Sequence, residues 1–345
     1  MKLTLDLICF GIQKNGGISN YWLKLIDFLN RKNFEIEIIL PKKSFQTIED
    51  LENVRTLEEK VPALCSRYMP IRQSTKNIIH SSYYRLPLLK QNAVITSLYD
   101  FAYEYSETGL KKYIHSCQKN LAIRKSDAVI CISESTKNIL LNTTNIHEEK
   151  IFVTRLGVDK KKFFYEEDLE YKKKFFNTVL FIGSRGGYKR FDLAVKALSH
   201  ERDLRLGIVG LQISPKEIDF LNRFIPNRWD YLGFVSNENL RKLYSNSFAF
   251  IFPSDHEGFG LPILEAMASG CPVVASKKTS FPEIGRTSIL YAEDQDSFEY
   301  FSKIDLLKSS SEKREIMKEK GFLRAEEFSW DKTFEETLKI YNKFY

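Results

Sequence analysis

At 345 residues, with 43% hydrophobic and 28% charged residues, the chain is long enough for two domains with ordinary cores and is neither disordered nor low in complexity. Its five cysteines (Cys9, Cys65, Cys117, Cys131 and Cys271) are odd in number and lack CxxC spacing, which argues against a disulfide framework or structural zinc and for a reducing compartment. The net charge of +7 is uneven, with 23 Lys and Arg against 17 Asp and Glu in residues 1–160. Without a basic stripe carrying interleaved aromatics, nucleic acid is a poor partner. The excess fits an anionic lipid surface or a lipid-diphosphate acceptor, and equally a plain solvated face. No apolar run approaches the ~20 residues of a membrane span.

Taken in order, Leu3 to Phe10 reads as a first strand; it carries Asp6 and no cleavage site, so it is not a signal peptide. Gly11 to Gly17 is a loop, and Ile18, Trp22, Leu25, Ile26 and Leu29 fall at helical spacing. Strand, Gly16-Gly17 pair and helix N-terminus form an anion-binding arrangement, although such a pair is also a common turn. It is not GxGxxG, and no acidic ribose partner follows at the dinucleotide spacing. Glu35–Leu40, 77–80 and 93–97 read as strands, and 41–77 carries no readable function. His80-Ser81-Ser82-Tyr83-Tyr84-Arg85 sits at a strand end, suited to contacting phosphate or acceptor, or to packing as a tyrosine-rich loop. Tyr99-Asp100 follows a strand and precedes a predicted helix; Asp100 fits either a base for an acceptor hydroxyl or a helix N-cap. Ala128–Ile132 and Ile151–Thr154 are further strands, with a helix from Ser133 to Leu141. Lys160–Lys174 is predicted as a charged helix beside a hinge.

The second half opens with the strand Val179–Ile182 and the loop GSRGGYKR. Arg185 and Lys189 stand four positions apart on flexible backbone, which suits a departing diphosphate; Arg190 is a third cation there. Strands follow at Leu206–Val209, Tyr231–Phe234, Phe248–Phe252, Cys271–Ala275 and Ser288–Tyr291. Asp294-Gln295-Asp296 has a metal-binding DxD pattern but lies far from the phosphate loops, so no metal site is expected. Residues 328–345 place Trp330, Phe334, Leu338, Tyr341 and Phe344 near helical spacing.

The most informative stretch is FPSDHEGFGLPILEAMASGCPVVA, residues 252–275. Gly258 and Gly260 permit a sharp turn, Pro262 suits a first helical turn, and Gly270 ends the helix. Backbone N–H groups and a positive helix end then face the carboxyl edge of a parallel sheet, where α/β folds bind anions. Glu257 and Glu265 frame the loop with seven residues between them. Ionised carboxylates accept hydrogen bonds from sugar hydroxyls; the same spacing fits a loop-solvating Glu257 and a helix-capping Glu265.

This stretch resembles the E-x7-E signature of glycosyltransferase family 4, retaining enzymes of the GT-B fold. Residues 128–141 (AVICISESTKNILL), 181–198 (FIGSRGGYKRFDLAVKAL), 232–254 and 281–285 (FPEIG) are similar to other family segments, in the family's order. The resemblance is weakest between about 40 and 90. It implies an α/β fold of two doubly wound Rossmann-like domains facing across a cleft: residues 1–160, joined by a C-terminal helix 329–345 that crosses back, and a donor-binding domain 161–328. It further implies donor contacts from Gly16 and Gly17, from Arg185 and Lys189 on the diphosphate, from Glu257, Gly258, Phe259, Gly260 and Leu261 around the sugar, and from Glu265 on the ribose. Glu257, Asp100 and Lys189 would be the catalytic residues, with His80, Arg85 and Tyr99 as further donor or acceptor contacts. Many family members have His-Asp where this chain has Tyr99-Asp100.

The expected activity is retaining, metal-independent transfer of a hexose or deoxyhexose from a nucleoside-diphosphate sugar to a lipid-linked saccharide, in surface polysaccharide or O-antigen synthesis. No cofactor is expected beyond that co-substrate. The expected location is cytoplasmic, peripheral on the inner membrane. The alternatives are a non-catalytic nucleotide-sugar-binding partner of a biosynthetic complex, or another GT-B enzyme such as a nucleotide-sugar epimerase. An epimerase would be expected to carry histidine and carboxylate pairs, and the chain has only five histidines.

Overall fold

A computed structural model describes every residue except 1, 14, 15, 47, 49, 50, 73–76, 90–92, 107, 294 and 295, and describes residue 106 by its backbone alone. Asp294 and Gln295 of the DxD triplet thus lie outside the described residues. Asp296 caps a helix, its carboxylate accepting from the Phe298 N–H at 3.2 Å. The chain forms two compact units, Met1–Leu156 with Trp330–Tyr345, and Gly157–Ser329.

The first unit holds strands β1 (Lys2–Asp6), β2 (Glu35–Lys42), β3 (Val54–Pro62), β4 (Ile78–Ser81), β5 (Ala93–Leu98), β6 (Ala128–Cys131) and β7 (Ile151–Val153). Its helices are α1 (Gly17–Arg31), α2 (Ala63–Ser66), α3 (Ala102–Ser106), α4 (Gly109–Lys125) and α5 (Glu134–Thr143). The sheet runs β3-β2-β1-β4-β5-β6-β7, and its pairings are parallel. Such a sheet is covered on both faces, which explains why β6 is apolar throughout and why β1 beyond its first residue and β2 between its two ends are buried. The first strand stops at Asp6 rather than continuing to Phe10. Beyond it, the Cys9 N–H turns to Ser82 Oγ at 3.1 Å, and Ile8–Gly11 coils into a short 3-10 turn. β3 lies in the stretch that sequence pattern left blank. It is an edge strand with charged residues along it, so it lacks an apolar alternation.

Several residues singled out at the ends of β4 and β5 are deeply buried. Arg85 is almost fully enclosed; Nη1 donates to Asp6 Oδ1 at 2.8 Å, Nη2 to Glu59 Oε1 at 2.6 Å, and Nε to the Met69 carbonyl at 3.1 Å. Burial raises the Asp6 carboxyl, against the lowering effect of Arg85. His80 sits between Tyr341 Oη (2.6 Å) and Ser97 Oγ (2.8 Å), and burial pushes its pKa down to about 3, so the ring is neutral. Tyr99 accepts from the Trp22 indole at 2.6 Å.

The second unit contains β8 (Thr178–Ile182), β9 (Arg205–Val209), β10 (Trp229–Gly233), β11 (Ala249–Phe252), β12 (Val273–Ser276) and β13 (Leu290–Ala292). Its helices are α6 (Leu169–Phe175), α7 (Phe191–Ser199), α8 (Pro215–Phe224), α9 (Asn237–Asn246), α10 (Leu261–Ala268), α11 (Phe281–Gly285), α12 (Ser297–Ser309) and α13 (Ser311–Glu326). The parallel sheet runs β10-β9-β8-β11-β12-β13 over a core that includes Val179, Phe181, Ile208, Ile251 and Val274. The predicted charged helix 160–174 is helical only as α6. Asp168 caps it, while the preceding backbone is held by α9, with the Glu166 N–H on Ser245 Oγ and Asn246 Nδ2 on the Glu166 carbonyl.

The final helix, α14 (Trp330–Asn342), returns to the first unit. Phe334 packs against Tyr21 and Phe28 of α1, and Asp331 pairs with Arg31 at 2.8 Å. Among the described residues, no helix is long and apolar enough to cross a membrane.

The Asp6–Arg85–Glu59 cluster yields a stability prediction. Arg85→Ala leaves a buried carboxylate without its cation, at a cost on the order of 3–5 kcal/mol. Because a buried carboxylate that has lost its cation takes up a proton, the deficit should shrink at mildly acidic pH. Urea denaturation of both proteins at neutral and acidic pH measures this.

Candidate active site

Strand order reverses between β8 and β11, since the chain leaves β8 toward β9 and β11 toward β12. At such a reversal the loops at the carboxyl ends part and leave a crevice. The β8 loop supplies Arg185 and Lys189, and the β11 loop supplies Glu257 and the start of α10.

Lys189 and Glu257 form an ion pair through Lys189 Nζ and Glu257 Oε1, with both side chains mostly buried. The same oxygen accepts from Ser254 Oγ at 2.9 Å, and the Glu257 N–H donates to Thr279 Oγ1 at 3.3 Å. The lysine also lies 4.9 Å from the Phe252 ring centroid. Two non-glycine residues near the pair are in the left-handed region, Arg190 at φ 48° and Thr279 at φ 47°. Such backbone costs of order 1–3 kcal/mol per residue and gathers at functional sites.

Past Glu257 the chain turns through Gly258 and Phe259. Gly260 has φ 105°, and a Cβ there would meet the Phe281 ring at 3.0 Å, so glycine is required. The N–H groups of Phe259 and Gly260 have no hydrogen-bond partner among the described residues. The turn is fixed from behind by Ser280 Oγ, which donates to the Phe259 carbonyl at 2.7 Å. Leu261 and Pro262 begin α10. Two unsatisfied amides at a helix N-terminus beside a lysine form an anion cradle.

Glu265, on α10, is set apart. Its carboxylate has no hydrogen bond or ion pair among the described residues, and burial raises its pKa to about 7. The hydroxyl of Tyr244, whose own pKa the Glu265 charge helps raise, is buried without a partner. Unsatisfied polar groups of this kind are costly and call for a ligand.

Arg185 is turned toward α8 rather than toward the Lys189–Glu257 pair. Nε donates to Glu217 Oε1 at 2.7 Å and Nη2 to the Gln212 carbonyl at 2.8 Å, while Nη1 is buried without a partner. Arg185 also lines a cavity of about 290 Å³ with Gly187, Phe191, Lys216 and Phe220. In the first unit, Gly16 caps α1 and Gly17 begins it, and Asp100 accepts from the Ala102 N–H at 3.0 Å ahead of α3.

Sequence reasoning missed Ser254, Thr279 and Glu217 as parts of this site. Ser254 stands inside the motif that was singled out. Glu217 was readable as the last member of the Ser214–Glu217 capping box. Thr279 joins through a left-handed backbone that its residue type does not announce.

A loop–helix anion cradle, a lysine–glutamate pair and two doubly wound parallel sheets fit the GT-B architecture of sugar-transferring enzymes. Residues 15–162 match the model described as Glycosyltransferase Family 4, and residues 161–324 match Glycosyl transferases group 1. The two matches together span residues 15–324, so the chain carries both glycosyltransferase domains. It is 27% identical over 289 residues to O-antigen chain mannosyltransferase B of Escherichia coli, covering 79% of this chain and 75% of that one. Sucrose-phosphate synthase from Thermosynechococcus elongatus superposes with a TM-score of 0.81 at 17% identity, covering 99% of this chain and 98% of that one. Anabaena HepE in complex with UDP and glucose superposes at 0.74 and 17% identity, covering 99% of this chain and all (100%) of that one.

The raised Glu265 pKa has a stability consequence with a definite sign. The folded state holds this proton between the ordinary value near 4.5 and about 7, so its contribution weakens stability as pH rises through that window. Glu265→Gln removes the slope. The variant should gain on the wild type between pH 5 and 8, by on the order of 2–3 kcal/mol, as read from urea denaturation at the two pH values.

Proposed function

We propose that this protein moves a hexose or deoxyhexose from a nucleoside-diphosphate sugar to a lipid-linked saccharide in surface-polysaccharide or O-antigen synthesis. The transfer retains anomeric configuration, needs no metal, and takes place in the cytoplasm at the inner membrane. The observation that carries the reading is the Lys189–Glu257 pair beside the unsatisfied Phe259 and Gly260 amides. The E. coli relative, an O-antigen chain mannosyltransferase, supports a saccharide acceptor, and the Anabaena complex supports a nucleotide donor.

In this mechanism the bond from the anomeric carbon to the diphosphate breaks with its electron pair going to the phosphate oxygen. Lys189 meets that developing charge. Positive charge grows at the anomeric carbon, where Glu257 stabilises it and orients the sugar hydroxyls. The acceptor oxygen bonds to that carbon and gives up its proton, with Asp100 as the candidate base. Glu265 accepts from the ribose hydroxyls, which supply the partners its carboxylate lacks. Arg185 adds its charge once it exchanges Glu217 for the diphosphate. Gly16 and Gly17 keep the phosphate-binding role that the resemblance implies.

Steady-state kinetics separate the two glutamates. The ribose does not react, so Glu265→Gln should raise donor KM and change kcat less. Glu257→Gln should lower kcat by at least about 10- to 100-fold. Lys189→Ala should lower kcat by about 30- to 1000-fold. Exchanged roles for the two glutamates, or no change in any variant, would contradict the assignment.

Metal independence is tested separately. Transfer should survive EDTA, because Lys189, Arg185 and helix ends supply the positive charge. Loss of activity restored by Mg²⁺ or Mn²⁺ would overturn that assignment.

A further inference from the structure

Helix α4 is built inside out. Its buried face carries His115 and Lys119 along with Ala122 and Ile123. Those polar groups meet partners within the first unit, although His115 Nδ1 makes no hydrogen bond. Lys119 pairs with Glu104 and lies 4.0 Å from the Phe101 ring centroid. His115 packs 4.1 Å from Tyr103, centroid to centroid, and its Nε2 lies 3.1 Å from Tyr83 Oη.

The opposite face is apolar and faces solvent. Leu110, Tyr113, Ile114 and Leu121 are 73%, 68%, 43% and 53% exposed. With exposed Cys117 they recur at the i, i+3, i+4, i+7, i+11 spacing of one helical stripe. The 17-residue helix carries five cations, Lys111, Lys112, Lys119, Arg124 and Lys125, and no acidic residue. Scattered exposed apolar residues are ordinary, but four large ones on one basic helix face are not.

We propose that the outer face of α4 docks on an anionic lipid surface, with the stripe entering the headgroup–acyl boundary and Lys111, Arg124 and Lys125 meeting lipid phosphates. Apolar area and basic charge together are what interfacial helices use. The charge selects lipid over a second copy of the chain, because two such helices face to face would bring like charges together. This deepens the inner-membrane reading above and rests on it for its biological purpose. Docking is measured without donor or acceptor, so its failure is distinct from a failure of sugar transfer.

The test is co-sedimentation of the full chain with phosphatidylcholine vesicles, with and without phosphatidylglycerol, at low and high salt. The wild type should bind only the anionic vesicles and release in high salt. Ile114→Ser/Leu121→Ser should weaken binding by at least about 10-fold with an unchanged melting temperature. Tyr113→Trp should show a blue-shifted fluorescence maximum when anionic vesicles are added. Three outcomes would overturn the proposal: no binding at low salt, wild-type binding by the double variant, or a wild-type dimer in sedimentation velocity that the double variant dissociates.

Discussion

The reversal of strand order between β8 and β11 is the constraint on which the candidate site depends. A parallel sheet places its loops at one edge, and only at a reversal do two adjacent loops turn away from each other. Lys189 comes from one of these loops and Glu257 from the other, and their ion pair spans the reversal. The first unit repeats the logic between β1 and β4, where the Gly16-Gly17 turn and the Ser81–Arg85 segment emerge. The two reversals are filled differently. At β1 and β4 a buried arginine is saturated by carboxylates and a carbonyl, whereas at β8 and β11 polar groups remain short of partners.

That shortage is what distinguishes a binding site from a well-packed sheet edge. The Phe259 and Gly260 amides, the Glu265 carboxylate, the Tyr244 hydroxyl and Arg185 Nη1 each lack a partner among the described residues. Left-handed backbone at Arg190 and Thr279 adds strain in the same region. Each feature lowers the stability of the ligand-free protein, and a ligand bearing phosphates and hydroxyls relieves most of them. The Lys189–Glu257 pair holds a cation and an anion together, partly buried, and so limits the cost of leaving either one alone.

Much of this was legible in the sequence. Strands β8, β11 and β12 of the second unit are short, largely apolar runs bounded by glycine or polar turns, and the E-x7-E stretch announced its own strand, turn and helix. Less legible were features fixed by distant partners. β3 is a charged edge strand, so its pairing with β2 leaves no apolar pattern. The segment before α6 looked helical by charge, but side chains of α9 hold its backbone. Arg85 and His80 looked like ligand contacts because strand ends are where ligands bind; only their burial against Asp6, Glu59 and Tyr341 shows how fully they are engaged. The outward stripe of α4 was hidden because a periodic pattern does not say which face is covered.

The central claim is that the crevice at β8 and β11 receives the donor diphosphate. Crystals of the protein grown with a nucleoside diphosphate test it most directly. The account predicts diphosphate oxygens on Lys189 Nζ and at the amides of Phe259 and Gly260, with Glu265 on the ribose hydroxyls. A nucleotide bound elsewhere, with the Lys189–Glu257 pair intact and the two amides untouched, would contradict it.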